Sequence, residues 1–149
     1  DWYSPYEMAR LRPPRLILSG GAGGELILEM YLSQAPNHVS AVLHLVDRGA
    51  YSGVKLRRLE DPVGVLLELP APAGGGVAGF RLQRELSPRR ILRGTVLVHP
   101  LHRGAGRLFI AGRPLPEWEG RVSVLGRIVL GERILAGLED GREIDLVAP

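Results

Sequence analysis

The sequence predicts a mainly β domain whose strands close, or nearly close, into a barrel, with two helices added. Three observations point there. Short strand-like runs recur along the chain, Gly- and Pro-rich turns separate them, and helical periodicity is confined to two segments.

Residues 1–14 carry Trp2, Tyr3 and Tyr6 among Pro5, Pro13 and Pro14, and read as an extended lead-in or linker. Residues 15–149 are then the domain. An opening on Asp1 rather than Met implies a chain that is processed, trimmed or part of something longer. Arg15–Leu18 and Glu25–Met30 are strand runs around the turn residues Ser19–Gly24, a hairpin pattern. That glycine run lacks the Lys-Ser/Thr of a phosphate loop and opens no helix. Pro36 suits the first turn of a helix, Val39, Val42, Leu43 and Val46 recur at helical spacing, and Gly49 supplies a stop. A core-covering helix is expected over 36–48. His38 and His44 on it are not i,i+4 partners, so no metal site is expected there, and both read as surface or boundary histidines.

Beyond the helix, Val54–Leu59 and Val63–Leu69 read as strands, and the Pro/Gly run Pro70–Gly76 separates them from Phe80–Leu82. Gly94–His99 and Arg107–Ala111 flank a loop at Pro100–Gly106. Val122–Val129 is strongly strand-like, Gly131–Leu138 suits a short helix, and Glu143–Val147 is a closing strand. No internal repeat is visible.

At 149 residues, with 45% apolar and 23% charged content, the chain has the size and composition of one soluble globular domain. No apolar run approaches the roughly 20 residues that span a bilayer, and no signal peptide is visible. The absence of cysteine excludes disulfides and thiolate metal sites. Arginine supplies 18 of the 19 basic residues, Lys55 being the exception, and the net charge is only +3. The densest basic group, Arg89, Arg90 and Arg93, lacks interleaved aromatics, so a solvated face is expected and a nucleic-acid partner is not.

The adjacent pair Arg57-Arg58 stands out. Period-2 alternation puts Val54, Leu56 and Arg58 on one face of a strand and Lys55, Arg57 and Leu59 on the other. A guanidinium sharing a face with two apolar residues is costly unless it is paired or used. Arg58 is thus either a paired or snorkelling strand-end residue or a functional one.

Collinear motifs from about residue 15 to 147 bear on that choice. Gly24-Glu25-Leu26-Ile27-Leu28-Glu29-Met30 with Gln34-Ala35-Pro36-Asn37-His38-Val39, and then Gly49-Ala50-Tyr51-Ser52-Gly53, form the first group. Arg93-Gly94-Thr95-Val96, Arg107-Leu108-Phe109-Ile110, Glu117-Trp118-Glu119-Gly120 and Ser123-Val124-Leu125-Gly126-Arg127-Ile128-Val129-Leu130-Gly131 follow in order. Together they resemble the cyclophilin family of peptidyl-prolyl isomerases. That resemblance implies a closed antiparallel eight-stranded β-barrel capped by two helices.

The resemblance also implies a site. Leu56-Arg57-Arg58-Leu59 falls on the family's Phe-His-Arg-Val/Ile motif, which gives Arg58 the place of the catalytic arginine and Arg57 that of a histidine. Phe109 matches the pocket phenylalanine, and Val63, Leu66, Pro100, Arg107, Trp118, Val122 and Leu125 are the remaining implied substrate-binding positions. Leu66 stands nearest the family's glutamine, Pro100 replaces an asparagine, Arg107 a glutamine and Val122 a histidine. His99 and His102 are expected as ordinary loop histidines that could face the groove. No metal or cofactor is implied. The eroded polar groups favour a domain that binds extended, Pro-containing or acidic polypeptide with weak or absent isomerase activity. The alternatives are an active, divergent isomerase and a structural domain of a larger assembly. The oligomeric state is not legible.

Overall fold

A computed structural model describes residues 13–21, 24–60, 63–67, 84–101 and 107–149. Eight strands alternate with helical turns: β1 (Arg15–Gly21), β2 (Gly24–Met30), helix α1 (Pro36–Asp47), β3 (Val54–Glu60) and β4 (Val63–Leu67). Then follow β5 (Thr95–Leu97), β6 (Leu108–Ala111), a 3-10 turn (Pro116–Trp118), β7 (Val124–Leu130), helix α2 (Glu132–Leu135) and β8 (Glu143–Val147). Every strand pair is antiparallel, and the order β1-β2-β7-β5-β6-β4-β3-β8 closes on itself. Closure leaves no sheet edge exposed.

The expected elements are present with shifted ends. β5 is shorter than the run Gly94–His99, and α2 occupies only the first half of Gly131–Leu138. Gly131 there has φ 84°, and a Cβ would run into the Glu25 carbonyl oxygen, so only glycine starts this helix so close to β2. The run at Phe80–Leu82, the residues Glu68 and Leu69, and the lead-in before Pro13 lie outside the described residues.

Alternation along the strands produces two apolar clusters on opposite faces of the sheet. Inside the barrel, Leu16, Leu18, Leu26, Leu28, Leu56, Val65, Leu67, Val96, Leu108 and Ile110 pack with Ile144 and Leu146 of β8. Val39, Val42 and Leu45 of α1 and Leu135 of α2 join this core, so both helices bury their apolar stripe against it. Outside, Leu66, Leu97, Phe109, Ala111, Leu115, Val122 and Val124 form a second cluster.

Helix α1 starts with Ala35, which offers no side-chain cap. The missing acceptor comes from far along the chain. The Glu85 carboxylate accepts the backbone N–H of Asn37 (3.1 Å) and of His38 (2.8 Å), and pairs with His38 Nδ1 at 2.6 Å. The Glu85 N–H in turn donates to Ser123 Oγ at 2.8 Å, which fastens the segment preceding β5 onto the barrel. A carboxylate is favoured at a helix N-terminus, where backbone donors lack partners.

Candidate functional site

Register places a row of outward-facing residues across neighbouring strands. Arg57 of β3 stands opposite Leu66 of β4, Leu66 opposite Phe109 of β6, Phe109 opposite Leu97 of β5, and Leu97 opposite Val124 of β7. Directly paired residues share a face of the sheet. Arg57, exposed, therefore ends a row whose other members belong to the outer apolar cluster. Leu59, two residues on, leans against the same cluster. Lys55 shares this side of β3, in register with Glu143 of β8, and Arg107 precedes Phe109 by two residues, just before β6.

The floor is built around the Phe109 ring. Gly64 lies beneath it, and a Cβ at that position would run into Phe109 Cζ and Cε1. Absence of a side chain at Gly64 is what makes room for the ring tip against the sheet. Above it sits His99, whose imidazole meets Phe109 edge-on at 5.1 Å and 78° and Trp118 at 5.0 Å and 81°. Phe109 and Trp118 are themselves 6.3 Å apart at 61°. The three rings thus form a mutually touching triangle, with the imidazole in the corner made by the two larger rings. His99 is 2% exposed, and Phe109 and Leu66 are both 0% exposed. His99 Nδ1 accepts the backbone N–H of Leu101 at 3.0 Å, which holds the ring in place and puts the proton of its neutral form on Nε2.

Arg58, the expected catalytic arginine, is not part of this constellation. It pairs with Val65, a member of the barrel-interior cluster, on the face opposite to Arg57. Its guanidinium Nη1 donates to the carbonyl oxygens of Leu135 (3.2 Å) and Leu138 (2.9 Å), at and just beyond the end of α2. Its backbone N–H donates to Asp140 Oδ1 at 2.8 Å. The paired, strand-end alternative is the one the geometry supports: a cation satisfies orphan carbonyls at a helix C-terminus. Adjacent residues of a strand face opposite sides, so Arg57 and Arg58 part company at this point.

Among the other expected site residues, Leu66, Phe109, Val122 and Trp118 are brought together in the outer cluster. Arg107 and Pro100 are half-buried at its margin, in the stretches flanking residues 102–106. Leu125 is not in the groove: it belongs to the barrel interior, because β7 shifts register between its pairings with Val96 and Leu97. Val63 packs over Gly112 and is not a member of the outer cluster. Sequence reasoning passed over Leu97 and undervalued His99. Extending the alternation of β5 by one step, Leu97 to His99, puts the histidine on the Phe109 side. His102 lies outside the described residues.

Beside the cluster, Arg89 lies over the Tyr31 ring at 3.7 Å from its centroid, and its Nε donates to Gln34 Oε1 at 2.5 Å. Burial pushes the Tyr31 phenol above its ordinary value against the opposing pull of Arg89. Among the described residues no group of His, Asp or Glu is arranged to hold a metal ion. No helix among them is long and apolar enough to cross a membrane.

The architecture has solved counterparts. A crystal structure of a cyclophilin-type peptidyl-prolyl cis-trans isomerase of Cryptosporidium parvum superposes with a TM-score of 0.75 at 19% identity, over 92% of this chain and 98% of that one. The structure of the same protein in the presence of the dipeptide Ala-Pro gives 0.72 and 21%, over 93% and 99%. The chain has the cyclophilin fold. In sequence, the chain is 27% identical to a peptidyl-prolyl cis-trans isomerase of Helicobacter pylori over 130 residues, 83% of this chain and 80% of that protein. The corresponding protein of a second Helicobacter pylori strain is 27% identical over 117 residues, 74% of this chain and 71% of that protein. No family model matches the sequence.

Proposed function

We propose that this cyclophilin-type domain binds extended, Pro-containing polypeptide along the face that Arg57 opens onto, with weak or absent isomerase turnover. The observation that carries the proposal is the row Arg57–Leu66–Phe109: a guanidinium beside an apolar floor, with leucine rather than a polar side chain between them. Rotation about an X–Pro bond faces a barrier of about 18–20 kcal/mol from amide resonance. An isomerase lowers it by holding the twisted amide better than either planar form. A guanidinium can donate to the prolyl carbonyl region and a flat aromatic can hold the pyrrolidine ring. Orienting the flanking backbone requires further donors and acceptors, each worth about 0.5–1.5 kcal/mol net. Leucine at position 66 and proline at position 100 supply no such side-chain groups, which supports binding over efficient turnover.

A second reading, an active but divergent isomerase, is favoured by the Helicobacter pylori relatives, whose names are those of isomerases. One pair of measurements separates the two. NMR exchange spectroscopy on an Ala-Pro-containing peptide, with and without protein, reads catalysis, and a shift titration of the same peptide reads binding. Binding without line broadening from cis–trans exchange is expected. Rate enhancement that vanishes in Arg57→Ala would establish the enzyme instead, and no binding at millimolar peptide would sink both readings.

A further inference from the structure

Phe109 has the form of a ring platform but is covered. One group packed against it is a five-membered ring of the chain's own, the His99 imidazole, T-shaped to Phe109 at 5.1 Å and to Trp118 at 5.0 Å. A pyrrolidine ring is also five-membered, so the space His99 fills matches in size the space a proline side chain needs. The floor cannot recede to admit both, because the Phe109 ring already rests on Gly64 and the sheet beneath it. The cover can move: the backbone N–H that donates to its Nδ1 at 3.0 Å belongs to the turn residue Leu101, which is 83% exposed.

We infer that His99 is a built-in occupant of the corner that the touching Phe109 and Trp118 rings form, a ring slot on this face, and that it sets the selectivity of the face. The inference rests on the reading that the Arg57 face binds extended polypeptide, and adds what limits that binding. A proline ring enters only as the imidazole swings out, so the apparent affinity is the intrinsic affinity reduced by the open fraction. Giving up two edge-to-face ring contacts and the Leu101 hydrogen bond makes that reduction about tenfold or more. Ligands that use only the cations and not the slot, such as acidic segments without proline, escape the reduction. His99 is thus a specificity residue that holds proline affinity down relative to charge-driven affinity.

The test is an NMR titration of wild type and His99→Ala with a blocked Ala-Pro dipeptide and a blocked Ala-Ala dipeptide, with circular dichroism confirming the fold. The expected result is Ala-Pro binding tightened about tenfold in the variant, with shifts at the Phe109 and Trp118 rings, and Ala-Ala binding unchanged. Should His99→Ala fail to fold, His99→Asn keeps an acceptor for the Leu101 N–H in a smaller side chain and is expected to show the same gain. Unchanged or weaker Ala-Pro binding by a folded variant, while wild type still binds in an Arg57-dependent way, overturns the inference and leaves the binding function standing. No binding by either protein overturns both.

Discussion

Arg57→Ala and Arg58→Ala, one position apart, are expected to fail in opposite ways. Arg58 contributes two charge-assisted hydrogen bonds to Leu135 and Leu138, whose side chains are buried under the end of α2. Such bonds are worth about 1.5–3 kcal/mol each when shielded. Arg58 is half-buried, so the pair together is discounted to about 2–3 kcal/mol. For a domain of this size that lowers the melting temperature by about 5–10 °C. Peptide binding by the folded fraction of Arg58→Ala should be unchanged. Arg57 is exposed, and its loss should alter stability by no more than about 0.5 kcal/mol. It should weaken an Ala-Pro-containing peptide about ten- to a hundredfold, as expected for one hydrogen bond to a charged group. Urea unfolding followed by circular dichroism gives the first pair of numbers and the NMR titration the second. The opposite pattern, with Arg58→Ala stable but unable to bind and Arg57→Ala indistinguishable from wild type, would refute the assignment of faces.

Three further outcomes follow from named contacts. Gly64→Ala should cost about 1–3 kcal/mol in urea unfolding and displace the Phe109 ring, visible as shifted Phe109 resonances; a neutral substitution would mean the ring does not lie on Gly64. Glu85→Ala removes the remote cap of α1 and should cost about 1–2 kcal/mol, with faster amide exchange at Asn37 and His38 as its signature and wild-type exchange there as the contrary result. Burial alone pushes the Tyr51 phenol far above its ordinary value of 10.0. The unfolded chain therefore loses the phenolic proton first, so stability is intact below about pH 10 and declines as the pH rises above it, and Tyr51→Phe should flatten that alkaline decline in thermal melts.

Most of the fold was legible because its signals are local. Apolar period 2 with turn residues between runs located the strands, and Val39, Val42 and Val46 with Pro36 and Gly49 bounded α1. Where the sequence misjudged an end, a contact distant in sequence decides it. β5 spans only Thr95–Leu97, and its pairing with β7 shifts register between Val96 and Leu97. The N-terminal cap of α1 could not be read near Ala35 at all, since Glu85 arrives from 47 residues away at His38. Nothing in local propensity marks an acceptor that only closure of the barrel delivers.

The geometry of the candidate site was legible in part, and the two expected residues that lie apart from the outer cluster, Arg58 and Leu125, do so for one physical reason. Alternation alone put Arg58 with Val54 and Leu56 on the apolar face and Arg57 with Leu59 on the other, and that is the arrangement β3 adopts. Motif matching assigned the functional role to the arginine that sits in line with the pattern, without weighing which face that position occupies. A strand converts a one-residue offset into the difference between barrel interior and groove. Leu125 went astray in the same manner, through a register shift in β7 that counting along the sequence cannot see. Phe109, Leu66, Trp118 and Val122 come together in the outer cluster, each being apolar on either reading of its neighbours. His99 was discounted because a histidine in a loop is usually solvated, yet it is buried, with two rings against it and its Nδ1 accepting the Leu101 N–H. A polar residue two steps past a buried strand position is worth carrying forward along the strand's alternation before it is assigned to solvent. Here that step turns an ordinary loop residue into the group that decides what the Phe109 platform can hold.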